Sequence, residues 1–133
     1  LVLNRWRSHV EAGRAYFTGY VDAGAAVAAS SILVCPNQVA EPFGRSFLEG
    51  GVHQKPVVAM NIPAFNELIE HGHTGWLLPP DARAWASKIA ALAADRGAVQ
   101  EAGRAAEQKA RASDAGSHAR VLMTLYDEVL RCA

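Results

Sequence analysis

The 133 residues suffice for one domain and leave no room for two. Half of them are apolar, which supplies an ordinary core and excludes a disordered chain. Thirteen Lys and Arg balance thirteen Asp and Glu, which argues against a dedicated nucleic-acid binder and against a polybasic anchor on an anionic membrane.

In chain order, Leu3, Trp6 and Val10 recur at helical spacing and predict an opening helix that Gly13 ends. Tyr16 to Val21 reads as a short strand, and the alanine-rich stretch from Ala23 to Ser30 as a short helix. Ile32-Leu33-Val34-Cys35 is a continuous apolar run, the pattern of a strand buried on both faces of a parallel sheet, and Pro36 stops it. A loop from Asn37 to Phe43 follows, and Gly44 opens a helix through about His53. Pro56 to Met60 is a second buried strand, predicted to lie beside the first. Asn61-Ile62-Pro63 makes a turn, Phe65 to His71 a helix stopped by Gly72, and Gly75 to Leu78 a third strand closed by Pro79-Pro80.

From there the chain reads as wholly helical. Trp85, Ala86, Ile89 and Leu92 share one stripe of a helix that Asp81 is placed to cap. Gly97 separates a second helix, Ala98 to Arg111, whose alanines leave it a thin packing face. The last helix runs from Asp114 to Arg131, with Leu122, Leu125, Tyr126, Val129 and Leu130 as its apolar stripe. Strands alternating with helices across short loops predict an α/β fold, a Rossmann-like doubly wound parallel sheet followed by C-terminal helices. In such sheets ligands sit beyond the carboxyl ends of the strands, which singles out Pro36 to Gly44 and Asn61 to Phe65.

Other chemistry is sparse. Cys35 and Cys132 lie far apart, one of them in an apolar run, and are expected not to form a structural disulfide. His71-Gly72-His73 offers two imidazoles without a third ligand that the sequence can place, so they read as turn residues, and no metal is expected. His53 and His118 have no placeable carboxylate partner and read as a helix-end and a solvated residue. With no apolar run long enough to span a bilayer, no visible signal peptide and no initial methionine, the expectation is a soluble cytoplasmic protein, whole or a piece of a longer one.

The chemistry-bearing segment is Glu41-Pro42-Phe43-Gly44-Arg45-Ser46-Phe47-Leu48-Glu49. Gly44 permits a tight entry into a helix whose first amides have no internal partner, and these amides with the helix dipole form a seat for phosphate. Glu41 before the helix and Glu49 within it can accept hydrogen bonds from vicinal hydroxyls, since a carboxylate has two accepting oxygens. Arg45 and Glu49 stand four apart, so a surface ion pair worth a few tenths of a kcal/mol accounts for them equally well.

The text from Ala40 to Pro80, EPFGRSFLEG followed by KPVVAMNIPAFNELIEHGHTGWLLPPD, resembles glycosyltransferase family 4, retaining enzymes of the two-domain GT-B fold. Upstream YFTGYVD and ILVCPNQ, and downstream LYDEVL, are similar to the flanking parts of that family. The resemblance implies a single partial domain over 1–133, the C-terminal nucleotide-sugar-binding domain, with a donor-binding portion at 15–80 and closing helices at 81–133. It places Glu41 near the donor sugar as the catalytic-site carboxylate and Glu49 at the nucleotide ribose. Pro42, Phe43, Gly44 and Arg45 then lie beside the donor, with the amides of Phe43 and Gly44 near its sugar and diphosphate.

The implied reaction is transfer of a sugar from a nucleoside-diphosphate sugar to an acceptor hydroxyl. The chain has no Asp-x-Asp motif, and the resemblance implies a metal-independent site, so no metal and no cofactor are expected. The implied partners are the nucleotide-sugar donor and an N-terminal acceptor domain missing from the chain, with weak self-association expected through the last helix and the open edge of the sheet. The rivals are a fragment that binds nucleotide sugars without transfer, a remnant that binds nothing, and another GT-B relative such as a sugar-nucleotide epimerase. Three departures stand out: Gln54 and Ala64 where the family usually has glycine, and no counterpart of its earlier diphosphate-binding arginine and lysine.

Overall fold

The computed structural model describes residues 2–37, 39, 43–113 and 115–131. The elements are α1 (Val2–Glu11), α2 (Ala23–Ala29), β1 (Leu33–Cys35), α3 (Arg45–Val52), β2 (Val57–Met60) and α4 (Pro63–Leu68). β3 (Gly75–Leu78), α5 (Ala82–Ala94), α6 (Arg96–Ala112) and α7 (Ala115–Arg131) complete them. The strands form one parallel sheet in the order β1-β2-β3, with Leu33 opposite Val57 and Val57 opposite Gly75. The parallel neighbours expected from the two apolar runs are therefore present.

Central β2 is buried along its whole length and feeds two cores by simple alternation. Val57 and Ala59 join Cys35, Phe47, Phe65, Ile69 and Ala106 on one face. Val58 and Met60 join Trp76, Leu78, Trp85, Leu92 and Ala102 on the other. Phe47 and Phe65 are fully buried, each contributing about 2 kcal/mol of hydrophobic stabilisation. Trp85 also donates its indole N–H to the carbonyl of Pro79 at 2.8 Å, which pins α5 to the end of β3. Asp81 caps α5 by accepting from the amide of Arg83, as its position implied.

Several expectations are corrected. β1 is an edge strand of this sheet, and its Val34 is 42% exposed, so it is not buried on both faces. Residues 16–21 form no strand, because a strand needs a hydrogen-bonding neighbour and none of the described strands pairs with them. Tyr16, Phe17 and Tyr20 stay exposed there. α4 starts at Pro63 rather than Phe65, since the fixed φ of proline suits the first helical position. It also ends early: Ile69 is extended, and Gly72, at φ 82°, turns the chain toward β3 instead of capping the helix. Ala86 lies exposed off the buried stripe of α5.

α6 begins at Arg96, two residues before the expected start. Asp95 caps it by accepting from the amide of Ala98 at 2.9 Å, so Gly97 sits inside its first turn. Its alanine face is thin, but thinness is what lets it approach α3. A Cβ on Gly51 would stand 2.6 Å from the Cβ of Ala110 and 2.8 Å from the carbonyl oxygen of Ala106.

The start of the last helix at Asp114, and Cys132, lie outside the described residues. α7 buries nothing, and its stripe of Leu122, Leu125, Tyr126, Val129 and Leu130 is exposed, as expected for at least part of it. Among the described residues, no helix is long and apolar enough to cross a membrane.

Candidate functional site

The candidate site lies at the carboxyl ends of β1 and β2, where the chain enters α3 and α4. Glu41 and Pro42, two of its expected members, lie outside the described residues. Phe43 is half exposed at the mouth of the loop. Gly44 follows as the N-cap of α3 in the left-handed conformation, φ 70° and ψ 39°, and is buried. Two independent constraints make this position glycine. The positive φ disfavours any residue with a Cβ. A Cβ there would also stand 3.0 Å from Leu68 Cδ1 and 3.2 Å from the ring of Phe65, on α4.

Because Gly44 has no side chain, no side-chain hydrogen bond caps α3. The first backbone bond of the helix runs from the Phe47 amide to the Gly44 carbonyl at 2.9 Å. The start of α3 thus carries the positive pole of the helix dipole, with its leading amides outside the helical ladder. Such a terminus suits an anion. The buried Phe47 fixes its direction by anchoring α3 in the core beside Phe65.

Glu49 lies one turn further along α3, with its side chain 47% exposed and ion-paired to Arg45 at 3.3 Å. This is the surface pair that the spacing allowed, and with both partners well exposed it contributes little stability. It also keeps a carboxylate and a guanidinium on one face of α3.

The two loops singled out from the sequence are brought together, since Gly44 packs on Phe65 and Leu68 of α4. The role of those two side chains as the backing of Gly44 was missed. The sequence pattern places Phe65 at the start of a helix but says nothing of which backbone it supports. Ala64 sits at the second position of α4, where an ordinary helical conformation asks for no glycine. Gln54 is different, at φ 57° in the turn after α3. Its amide donates to the carbonyl of Gly51, and the Lys55 amide to that of Gly50, which is the glycine-favouring end of a helix.

His71 Nδ1 accepts from the amide of Leu77 at 3.1 Å, so this histidine braces the turn before β3. Among the described residues, no cluster of three His, Cys, Asp or Glu is placed to hold a metal. Glu70 and Glu107 have carboxyls held below the usual range, in each case first by a hydrogen bond, from Lys109 and from Arg111 respectively. Both pairs lie on or against α6 and are structural.

The match with known proteins agrees with this geometry. Residues 3–95 match the family described as glycosyl transferases group 1. No curated protein sequence matches the chain. Among solved structures, the fold is similar to sucrose-phosphate synthase from Thermosynechococcus elongatus, with a TM-score of 0.85 and 23% identity over 99% of this chain and 34% of that one. It is also similar to Anabaena HepE in complex with UDP, with a TM-score of 0.83 and 25% identity over 95% of this chain and 36% of that one. The HepE complex with UDP-glucose gives a TM-score of 0.79 and 26% identity over the same shares, 95% and 36%. The chain thus spans little more than a third of these proteins.

Proposed function

The chain belongs to the group 1 glycosyl transferases, and on that premise we propose that it is the donor-binding part of a retaining glycosyltransferase. The transfer moves a sugar from a nucleoside-diphosphate sugar to an acceptor hydroxyl. The observation that carries this reading is the start of α3, an uncapped helix terminus entered through a left-handed glycine at the carboxyl end of β1. HepE, at about a quarter identity, binds UDP and UDP-glucose, which supports a ligand of this class here.

In this reading the leading amides of α3 and the backbone at Phe43 and Gly44 hold the donor diphosphate. They stabilise the charge that builds on it as the glycosidic bond breaks. Arg45 adds a cation beside them. Glu49 accepts from the ribose hydroxyls, and Glu41 accepts from hydroxyls of the donor sugar. The departing phosphate takes the acceptor proton, so no side chain acts as a base and no metal is required.

Alanine at Glu41 or at Glu49 is expected to cut transfer at least tenfold, about 1.4 kcal/mol, with the fold intact. Activity that falls only in step with the amount of folded protein would leave the glutamates a structural role alone.

A further inference from the structure

A cavity lies away from the candidate site, at the amino-terminal ends of β1 and β2, between the sheet, α5 and α6. It has a volume of about 530 Å³, within the range of small-molecule sites. Its walls divide by chemistry. Ile32, Ile89, Leu92 and Val99 supply an apolar floor, while Lys55 and Arg96 bring two cations. Ser31 and Gln100 add neutral hydrogen-bonding groups, and no carboxylate is among the lining residues.

The ion pairs among the described residues, Arg45–Glu49, Lys109–Glu70 and Arg111–Glu107, engage neither Lys55 nor Arg96. The acids nearest in sequence or contact are occupied elsewhere. Asp95 caps α6 through the amide of Ala98. Glu107 accepts from Arg111 and from Gln54. Arg96 also stands in the first turn of α6, the end where the helix dipole disfavours a cation. An anion seated here would meet two positive side chains beside a partly buried apolar surface.

We propose that this cavity binds a small amphipathic anion, an organic phosphate or carboxylate whose apolar body lies on Ile32, Leu92 and Val99 and whose charge meets Lys55 and Arg96. The site is separate from the start of α3. The turn Gln54–Lys55 closes the far end of that helix, so the two sites sit at opposite ends of one element. The proposal does not depend on the donor reading.

Amide chemical shifts of the full isotope-labelled protein, titrated with 1-naphthyl phosphate, test it. The expected result is saturable shifts at Lys55, Val99 and Gln100, with inorganic phosphate and neutral 1-naphthol each binding at least tenfold more weakly. Lys55→Gln and Arg96→Gln should each weaken naphthyl phosphate about tenfold while nucleoside-diphosphate binding and the melting temperature stay unchanged. Three results would overturn the site: no saturable shifts at those residues, shifts confined to Phe43 to Phe47, or equal affinity in the wild type and both variants.

Discussion

Gly103 of α6 lies so close to the carbonyl oxygen of Gln54 that a Cβ built on this glycine would collide with it. Gln54 in turn holds a left-handed backbone and donates through its side-chain amide to Glu107 of α6 at 2.8 Å. The turn that ends α3 is therefore clamped onto α6 by a backbone contact and a side-chain bond. Since the other end of α3 forms the candidate anion seat, the small residues of α6 set where that seat lies.

This seam gives a prediction with a telling sign. Glycine to alanine inside a helix ordinarily stabilises by about 1 kcal/mol. Gly103→Ala and Gly51→Ala are expected instead to destabilise by about 2 kcal/mol each, because backbone and Ala110 occupy the space a methyl would take. Thermal melts of the two variants decide it, and a rise in melting temperature in either would refute the close approach.

Gln54→Gly is expected to do the opposite. A non-glycine residue in the left-handed region carries a cost of about 1 kcal/mol, and the turn after α3 is of the type that prefers glycine. The exposed bond to Glu107 and the added freedom of the unfolded chain offset part of that gain. A net stabilisation of about 0.5 kcal/mol should appear in denaturant unfolding, and a lower unfolding midpoint would show that the bond to Glu107 outweighs the strain.

Much of this architecture is legible in the residues. Val57 to Met60 and Gly75 to Leu78 announce themselves as apolar runs between turns, and Gly44 marks the entry to α3. What escapes a reading of the chain has physical causes. The segment 16–21 has strand composition, but a strand is defined by its neighbour, which local pattern does not encode. The α3–α6 seam is built from Gly51, Gly103, Ala106 and Ala110, whose small side chains give almost no hydrophobic signal although they let the two helices approach closely. At the site, the helix start at Gly44 was readable, whereas its support by Phe65 and Leu68 depends on tertiary placement.

The ion pair between Lys109 and Glu70, 2.7 Å long, joins α6 to the turn before β3 and predicts an acid-sensitive contribution. The Lys109 hydrogen bond, and then its charge, hold the Glu70 carboxyl below its unfolded value. Its stabilisation is therefore complete above the unfolded carboxylate range and is lost as pH falls through the lower folded value. The melting-temperature difference between the wild type and Lys109→Gln should be present at neutral pH and shrink below about pH 4. A difference that stays constant into acid would remove the pair as its cause.

The most direct test of the central claim is calorimetric titration of the full protein with UDP, GDP and ADP in excess chelator. At least one of the three should bind, and Glu49→Ala should weaken it at least tenfold, about 1.4 kcal/mol, without lowering the melting temperature. If none of them binds, or if Glu49→Ala binds as tightly as the wild type, the start of α3 is not a nucleotide-sugar seat.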